Sequence, residues 1–171
     1  NQVWDMGIDG TGATVGIIDT GATWDHPALK EKWRGYDPIT GNINSEGNWY
    51  DAVTNTPMPR DESQFPQGTR VLGTILGQEP DGGNKIGVAP GAKWIAAKAF
   101  TSYGSWDHYI ISAGQWMLAP GGDPDKAPDI INNSWCRGSE LDDWFRDVVK
   151  NWKAAGIVPI FAAGDAEGLN T

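Results

Sequence analysis

The chain has 171 residues, enough for one domain with a sizeable core, and its 39% hydrophobic and 20% charged content is that of an ordinary globular fold. Its net charge of −9, spread along the chain, argues against nucleic acid and anionic membranes as partners, because both reward clustered Lys and Arg. No apolar run approaches the length of a membrane span. In chain order, residues 14–18 predict a first strand (Val15-Gly16-Ile17-Ile18), ended by Asp19 and followed by Thr20-Gly21. Residues 37–66, rich in Asn, Gly, Pro, Asp and Ser with aromatic islands at Trp49-Tyr50 and Phe65, predict a long irregular excursion holding up to two short strands. Residues 68–77 predict a helix with Leu72, Ile75 and Leu76 on one face. A second strand follows over 93–100, then a helix over 107–119 opened by Asp107 as an N-cap type residue. A third strand is expected over 129–134 and a fourth over 157–162. Between these two, a helix over 139–155 is expected, with Ser139 and Asp142 as a capping-box variant, an apolar stripe of Leu141, Phe145, Val148, Val149 and Trp152, and Gly156 as its stop.

Strand–helix alternation of this kind predicts an α/β fold with a parallel sheet and helices on both faces, in a single domain spanning 1–171. Ligands of such sheets bind at the carboxyl ends of the strands. That edge collects Asp19, then Ser134-Trp135-Cys136, then Ala163-Gly164-Asp165. The ten tryptophans read as core and helix–sheet packing rather than as a sugar-stacking platform. Cys136 is the only cysteine, so no internal disulfide can form and the redox compartment stays open. The opening Asn1-Gln2-Val3-Trp4 has no basic or apolar signal region, so any secretory signal is expected to have been removed already.

Ile17-Ile18-Asp19-Thr20-Gly21 fits the hydrophobic-Asp-Thr-Gly triplet of aspartic peptidases, but that mechanism needs two carboxylates and the sequence holds no second triplet. A fuller pattern is carried by Asp19-Thr20-Gly21 with Asp25-His26-Pro27-Ala28-Leu29, by Gln67-Gly68-Thr69-Arg70-Val71-Leu72-Gly73-Thr74, and by Ile86-Gly87-Val88-Ala89-Pro90-Gly91-Ala92. Ile131-Asn132-Asn133-Ser134-Trp135 and Phe161-Ala162-Ala163-Gly164 extend it nearly to the end of the chain. In this order and spacing the chain resembles the subtilisin-like serine peptidases (subtilases). Lys32-Trp33-Arg34-Gly35-Tyr36-Asp37 and the Trp-rich helix point to the bacillopeptidase F-like branch.

The resemblance implies a hydrolase working through an Asp–His–Ser triad and an oxyanion hole. Asp19 matches the triad Asp. Gln67 stands where the family has its base histidine, and a carboxamide cannot take a proton from serine near neutral pH. Asp165 stands at the oxyanion asparagine, placing an acceptor where a donor is needed; losing that donor alone costs about 10²–10³ in rate. These 171 residues contain no GTSMASP-like segment, so the family's serine and its helix are missing from them. His26 sits in the Asp-His-Pro segment and His108 in the first turn of a helix, and neither is expected to replace the base.

By the same resemblance, substrate would lie as an added strand between Phe100, Thr101, Ser102 and Tyr103 on one side and Ser134, Trp135 and Cys136 on the other, with Cys136 and Arg137 intruding on the primary pocket. No cofactor is required; a structural Ca²⁺ would be held at Asp81 and Asn84, with Asp37, Asp51, Asp61 and Glu62 as further oxygen donors, and the alternative for Asp81-Gly82-Gly83-Asn84 is a plain turn. The implied location is extracellular. The expected partners are an extended peptide, or a companion polypeptide covering a sheet face left open beside Leu72, Ile75 or Leu76. Two readings compete: a subtilase homologue without peptidase activity, acting in peptide binding or assembly, and an altered fragment or nicked half of a secreted endopeptidase. A Trp-lined glycan-binding domain has composition alone behind it.

Overall fold

The computed structural model of the chain describes residues 2–136 and 143–164. Its centre is a five-stranded, all-parallel sheet in the order β2-β3-β1-β4-β5, built from β1 (Thr14–Asp19), β2 (Trp49–Asp51), β3 (Lys93–Lys98), β4 (Ile130–Asn133) and β5 (Val158–Phe161). The helices are α1 (Gln2–Asp5), α2 (Gln67–Leu76), α3 (Asp107–Trp116) and α4 (Arg146–Ala154). β1 and β3 lie inside the sheet with both faces covered, which is why their sequences are nearly continuous apolar runs rather than alternating ones.

Two hydrophobic layers flank the sheet. Val15, Ile17, Trp49, Trp94 and Ala96 point to one side, where Leu72 and Leu76 of α2 and the fully buried Trp33 meet them. Ile18, Ile95, Ala97 and Ile131 point to the other, against Ile110, Ala113 and Met117 of the α3 region and Phe145 and Trp152 of the α4 region. The tryptophans are mostly packing residues with a satisfied indole N–H. Trp33 donates to Asn48 O, Trp94 to Leu29 O, Trp135 to Ile18 O and Trp152 to Gly114 O. Trp106 is the exception, at 70% exposed.

The excursion contributes the edge strand β2 and one antiparallel bridge, Tyr36 with Ile43. Polar contacts hold it in place. The Arg34 guanidinium donates to Asn48 Oδ1, Gly47 O and Lys126 O at 2.7–2.9 Å. The Asp51 carboxylate gathers Val53, Thr54 and Thr56 into a tight turn.

Four expectations need correction. The second strand stops at Lys98 rather than reaching Phe100, because Ala99 and Phe100 both turn their N–H groups to Asp19 O. Helix α3 ends at Trp116, and its N-cap is Trp106, with Asp107 inside the first turn. Helix α4 begins at Arg146, and residues 143–145 just before it are a turn rather than part of the helix: Arg146 N donates to Asp143 O in a turn that presses Phe145 into the aromatic cluster of Trp135, Trp144, Trp152 and Phe161. The Ser139–Asp142 capping pair and Leu141 lie outside the described residues. Of Leu72, Ile75 and Leu76, the residues expected to border an open face, Leu72 and Leu76 are fully buried and only Ile75 is partly exposed.

The uncovered apolar surface lies farther along the same side of the sheet. α2 packs over β1 and β3, whereas Val158 and Ile160 of β5, whose register places them with Ile130 and Asn132 on that side, remain 50% and 47% exposed. Such a patch favours association. The double variant Val158→Thr, Ile160→Thr is expected to bind less of an apolar dye and to self-associate less on sedimentation, with an unchanged circular dichroism spectrum. A wild-type chain that stays monomeric at high concentration and binds no dye would contradict this.

Candidate active-site remnant

β1 ends by burying a carboxylate. Asp19 is 2% exposed; its Oδ1 accepts the Thr20 N–H at 2.7 Å, and its Oδ2 is buried with no hydrogen-bond partner. The next turn lies directly under the start of α2. A Cβ on Gly68 would stand 2.1 Å from Gly21 O, and one on Gly21 would stand 2.1 Å from Arg60 O, so both positions exclude any side chain. Gly68 N–H donates to Thr20 Oγ1. Asp61 Oδ2 caps the same helix, accepting from Thr69 N and Thr69 Oγ1, while its Oδ1 is buried without a partner.

Gln67 opens α2 beside this turn. Its Nε2 donates to Ser134 O at 2.5 Å, across the gap between α2 and the end of β4. The two segments expected to flank a ligand do meet, since the rings of Phe100 and Trp135 lie 5.6 Å apart, and Trp135 is pinned to β1 by its bond to Ile18 O. Asn132 Nδ2 holds Ser134 Oγ, and Cys136 is exposed. Residues Thr101 to Gly104 form a closed turn in which Thr101 N donates to Gly104 O and Gly104 N to Thr101 O, so this wall is less extended than the resemblance implies. A cavity of about 320 Å³ lies between that turn and Thr20, Thr54 and Ser63, with Tyr103 fully exposed at its side. Thus Asp19, Gln67, the turn from Phe100 to Tyr103, and Ser134 to Cys136 share one sheet edge. Arg137 and Asp165 lie outside the described residues.

The remaining candidates fall elsewhere. His26 Nδ1 accepts from Ala28 N–H and the His108 ring lies tilted against Tyr109, and neither contact reaches Asp19. Asp81 Oδ1 accepts Gly83 N–H and Glu79 Oε2 accepts Asn84 N–H in an exposed turn. Asp37 and Asp51 spend their oxygens on their own turns, and no three His, Cys, Asp or Glu side chains converge among the described residues.

Three features escape a reading by motif. Lys98 is only 6% exposed and lies in register between Asp19 on β1 and Asp51 on β2, a row of alternating charge at the sheet edge. Its signal is a lone charge inside an apolar run. The Asp51 turn is announced by Asp51-Ala52-Val53-Thr54-Asn55-Thr56, with hydroxyls at three and five residues. The Gln67–Ser134 bond has no sequence signal, because 67 residues separate its partners.

The two acids of that row titrate in opposite senses. Burial pushes the Asp19 carboxyl up to about 6 from 3.8, opposed by the Thr20 N–H and reinforced by the neighbouring Asp61 charge. Burial also pushes Asp51 up, but the hydrogen bonds from Thr54 and Thr56 outweigh it and hold the group near 2. Below pH 3.8 Asp19 is protonated folded or unfolded; between 3.8 and about 6 only the folded form keeps its proton, so stability falls as pH rises through that window. Asp51 contributes stability that is present above 3.8 and lost as pH falls through about 2. Asp19→Asn is expected to raise stability to urea at pH 7–8 by on the order of 1–3 kcal/mol and to flatten the pH 4–6 slope. Equal or lower stability at pH 8 would show that the charge carries no cost in the fold.

Residues 10–171 match the subtilase family, peptidase S8. The chain is 53% identical to Bacillopeptidase F of Bacillus subtilis over 172 aligned residues, covering 97% of this chain and 12% of that protein. It is 29% identical to the minor extracellular protease Vpr of the same organism, over 97% of this chain and 19% of that one. Among solved structures, a protease from Pseudoalteromonas arctica matches with a TM-score of 0.70 at 19% identity, over 95% of this chain and 52% of that chain. Sphericase matches with a TM-score of 0.67 at 23% identity, over 92% and 47%. At such identities these two structures speak for the fold alone. The chain therefore spans less than a fifth of the two sequence relatives and about half of the two structures. The whole length from residue 10 onward belongs to the subtilase family.

Proposed function

We propose that this chain is an extracellular subtilase homologue without peptidase chemistry, which keeps the peptide-holding edge of the fold. The observation that carries the first half is the direction of the Gln67 side chain. It donates to Ser134 O, while Asp19 Oδ2, the oxygen an orienting carboxylate offers to a base, has no partner. A carboxamide does not titrate near neutral pH and has no proton-accepting role to play for a serine. The second half is supported by the sheet edge. Main-chain recognition of an added strand depends on backbone groups, so it survives the loss of catalytic side chains. Ser134 to Cys136 and Phe100 to Tyr103 still stand side by side there, joined through Trp135 and Phe100.

A second reading is favoured by the open face at Val158 and Ile160 and by the small share of the relatives that is matched. On that reading the chain is part of a secreted endopeptidase, and further polypeptide covers the face. Gln67 argues against it, because a companion segment returns a serine but not the base.

Both halves are tested on the pure protein. No hydrolysis of chromogenic peptides and no labelling by a serine-directed phosphonate are expected, and Gln67→His is expected to change neither, since triad members act as a unit. Phosphonate-sensitive turnover would refute the inactive reading. Titration with extended peptides is expected to move the amide resonances of Phe100–Tyr103 and Ser134–Cys136. Shifts confined to other regions, or none at all, would refute the groove.

A further inference from the structure

The groove proposed above has its own occupant, and this inference rests on that reading. Successive carbonyls of a strand point to opposite neighbours. Asn133 O accepts Ala162 N–H on the β5 side, so Ser134 O points the other way, over the end of β1. The β1–β4 pairing runs from Val15–Ile130 to Ile17–Asn132 and stops there, which leaves the Ser134 carbonyl without a strand partner. An added peptide strand would donate a main-chain N–H to this oxygen. The group that donates to it instead is the Gln67 carboxamide, at 2.5 Å.

A carboxamide is chemically a peptide unit on a short tether. We propose that Gln67 acts as a built-in pseudo-ligand, a latch whose side-chain amide fills the place of a peptide N–H on Ser134 O and must let go before a peptide docks. The latch is well placed to be both formed and reversible. Its base is fixed, because Gly21 and Gly68 leave no room for the start of α2 to shift on the end of β1, and Gly68 N–H is held by Thr20 Oγ1. Its far end is fixed as well, since Asn132 Nδ2 and the Trp135 indole bind the segment around Ser134 to the sheet. Gln67 itself is exposed, so only side-chain rotation separates the closed from the open form. Its polarity is also specific: only a donor can satisfy Ser134 O, so the Nε2 end must face it. A neutral intramolecular bond of this kind has a modest net worth, so opening it costs a peptide about two- to tenfold in affinity.

The test compares binding of one extended peptide, chosen for its shifts at Ser134–Cys136, to the wild-type chain, Gln67→Met and Gln67→Ala. Methionine keeps the length and bulk of glutamine and removes its donor. The expected result is about two- to tenfold tighter binding by Gln67→Met, with the Gln67 side-chain NH₂ resonances of the wild type shifting as peptide is added. Unchanged or weaker binding by Gln67→Met overturns the latch, and so does a gain seen with Gln67→Ala alone, which would mark a steric block. In both of those cases the groove stands. Absence of binding by all three proteins would sink the groove itself, and the latch with it.

Discussion

The sheet edge is organised around one costly burial, the carboxylate of Asp19 at the end of the central strand. One of its oxygens is held by the Thr20 N–H, and the other is shut away from water with nothing to bond. Neighbouring parts close over it. The start of α2 sits within side-chain-excluding distance of Gly21, Asp61 caps that helix from the excursion, and Ala99 and Phe100 turn across the strand end to donate to Asp19 O. A buried acceptor without a donor is tolerated in a native fold when the surroundings over-determine it. Here the surroundings are two fully packed hydrophobic layers on either side of β1.

From this constraint follows the division between architecture and chemistry. The backbone features of a subtilase edge depend on the parallel register of β1, β3 and β4 and on glycine at the α2 contact, and all of these are present. The chemistry depends on single side chains, which can be exchanged without disturbing that register. Gln67 is such an exchange. Its side chain forms a strut to Ser134 O, linking α2 to the end of β4. The row Asp19, Lys98, Asp51 shows the same logic in the opposite direction. There a buried lysine stands in register between two carboxylate residues at the end of an apolar strand, a placement set by the sheet itself.

Most of the fold was legible in the sequence because periodicity and family order carry it. Thr14 to Asp19, the α2 stripe of Leu72 and Leu76, and the burial of Trp152 all follow from local pattern. Boundaries failed where tertiary bonds outcompete propensity. Phe100 leaves β3 because Asp19 O draws its N–H, and Phe145 stays out of α4 because an aromatic pocket takes its ring. Open apolar surface was expected beside Leu72, Ile75 or Leu76; two of these are buried, and further apolar exposure lies on β5, since the reach of a helix across a twisted sheet is not written in its own residues. Within the site, motif position was enough to bring Asp19 and Gln67 to the same sheet edge. The bond from Gln67 to Ser134 O was not readable, because it joins two segments distant in sequence.

The central claim is that Asp19 is a buried acid with one oxygen left without a partner, and its own titration tests this most directly. Carbon-13 labelling of aspartate and observation of the Asp19 carboxyl resonance against pH, assigned by its loss in Asp19→Asn, gives the midpoint in the folded chain. The account expects a midpoint near 6, well above the 3.8 of a free aspartate. A midpoint at or below the ordinary value would mean that Asp19 Oδ2 has a donor or open water, and that the edge is not the closed remnant described.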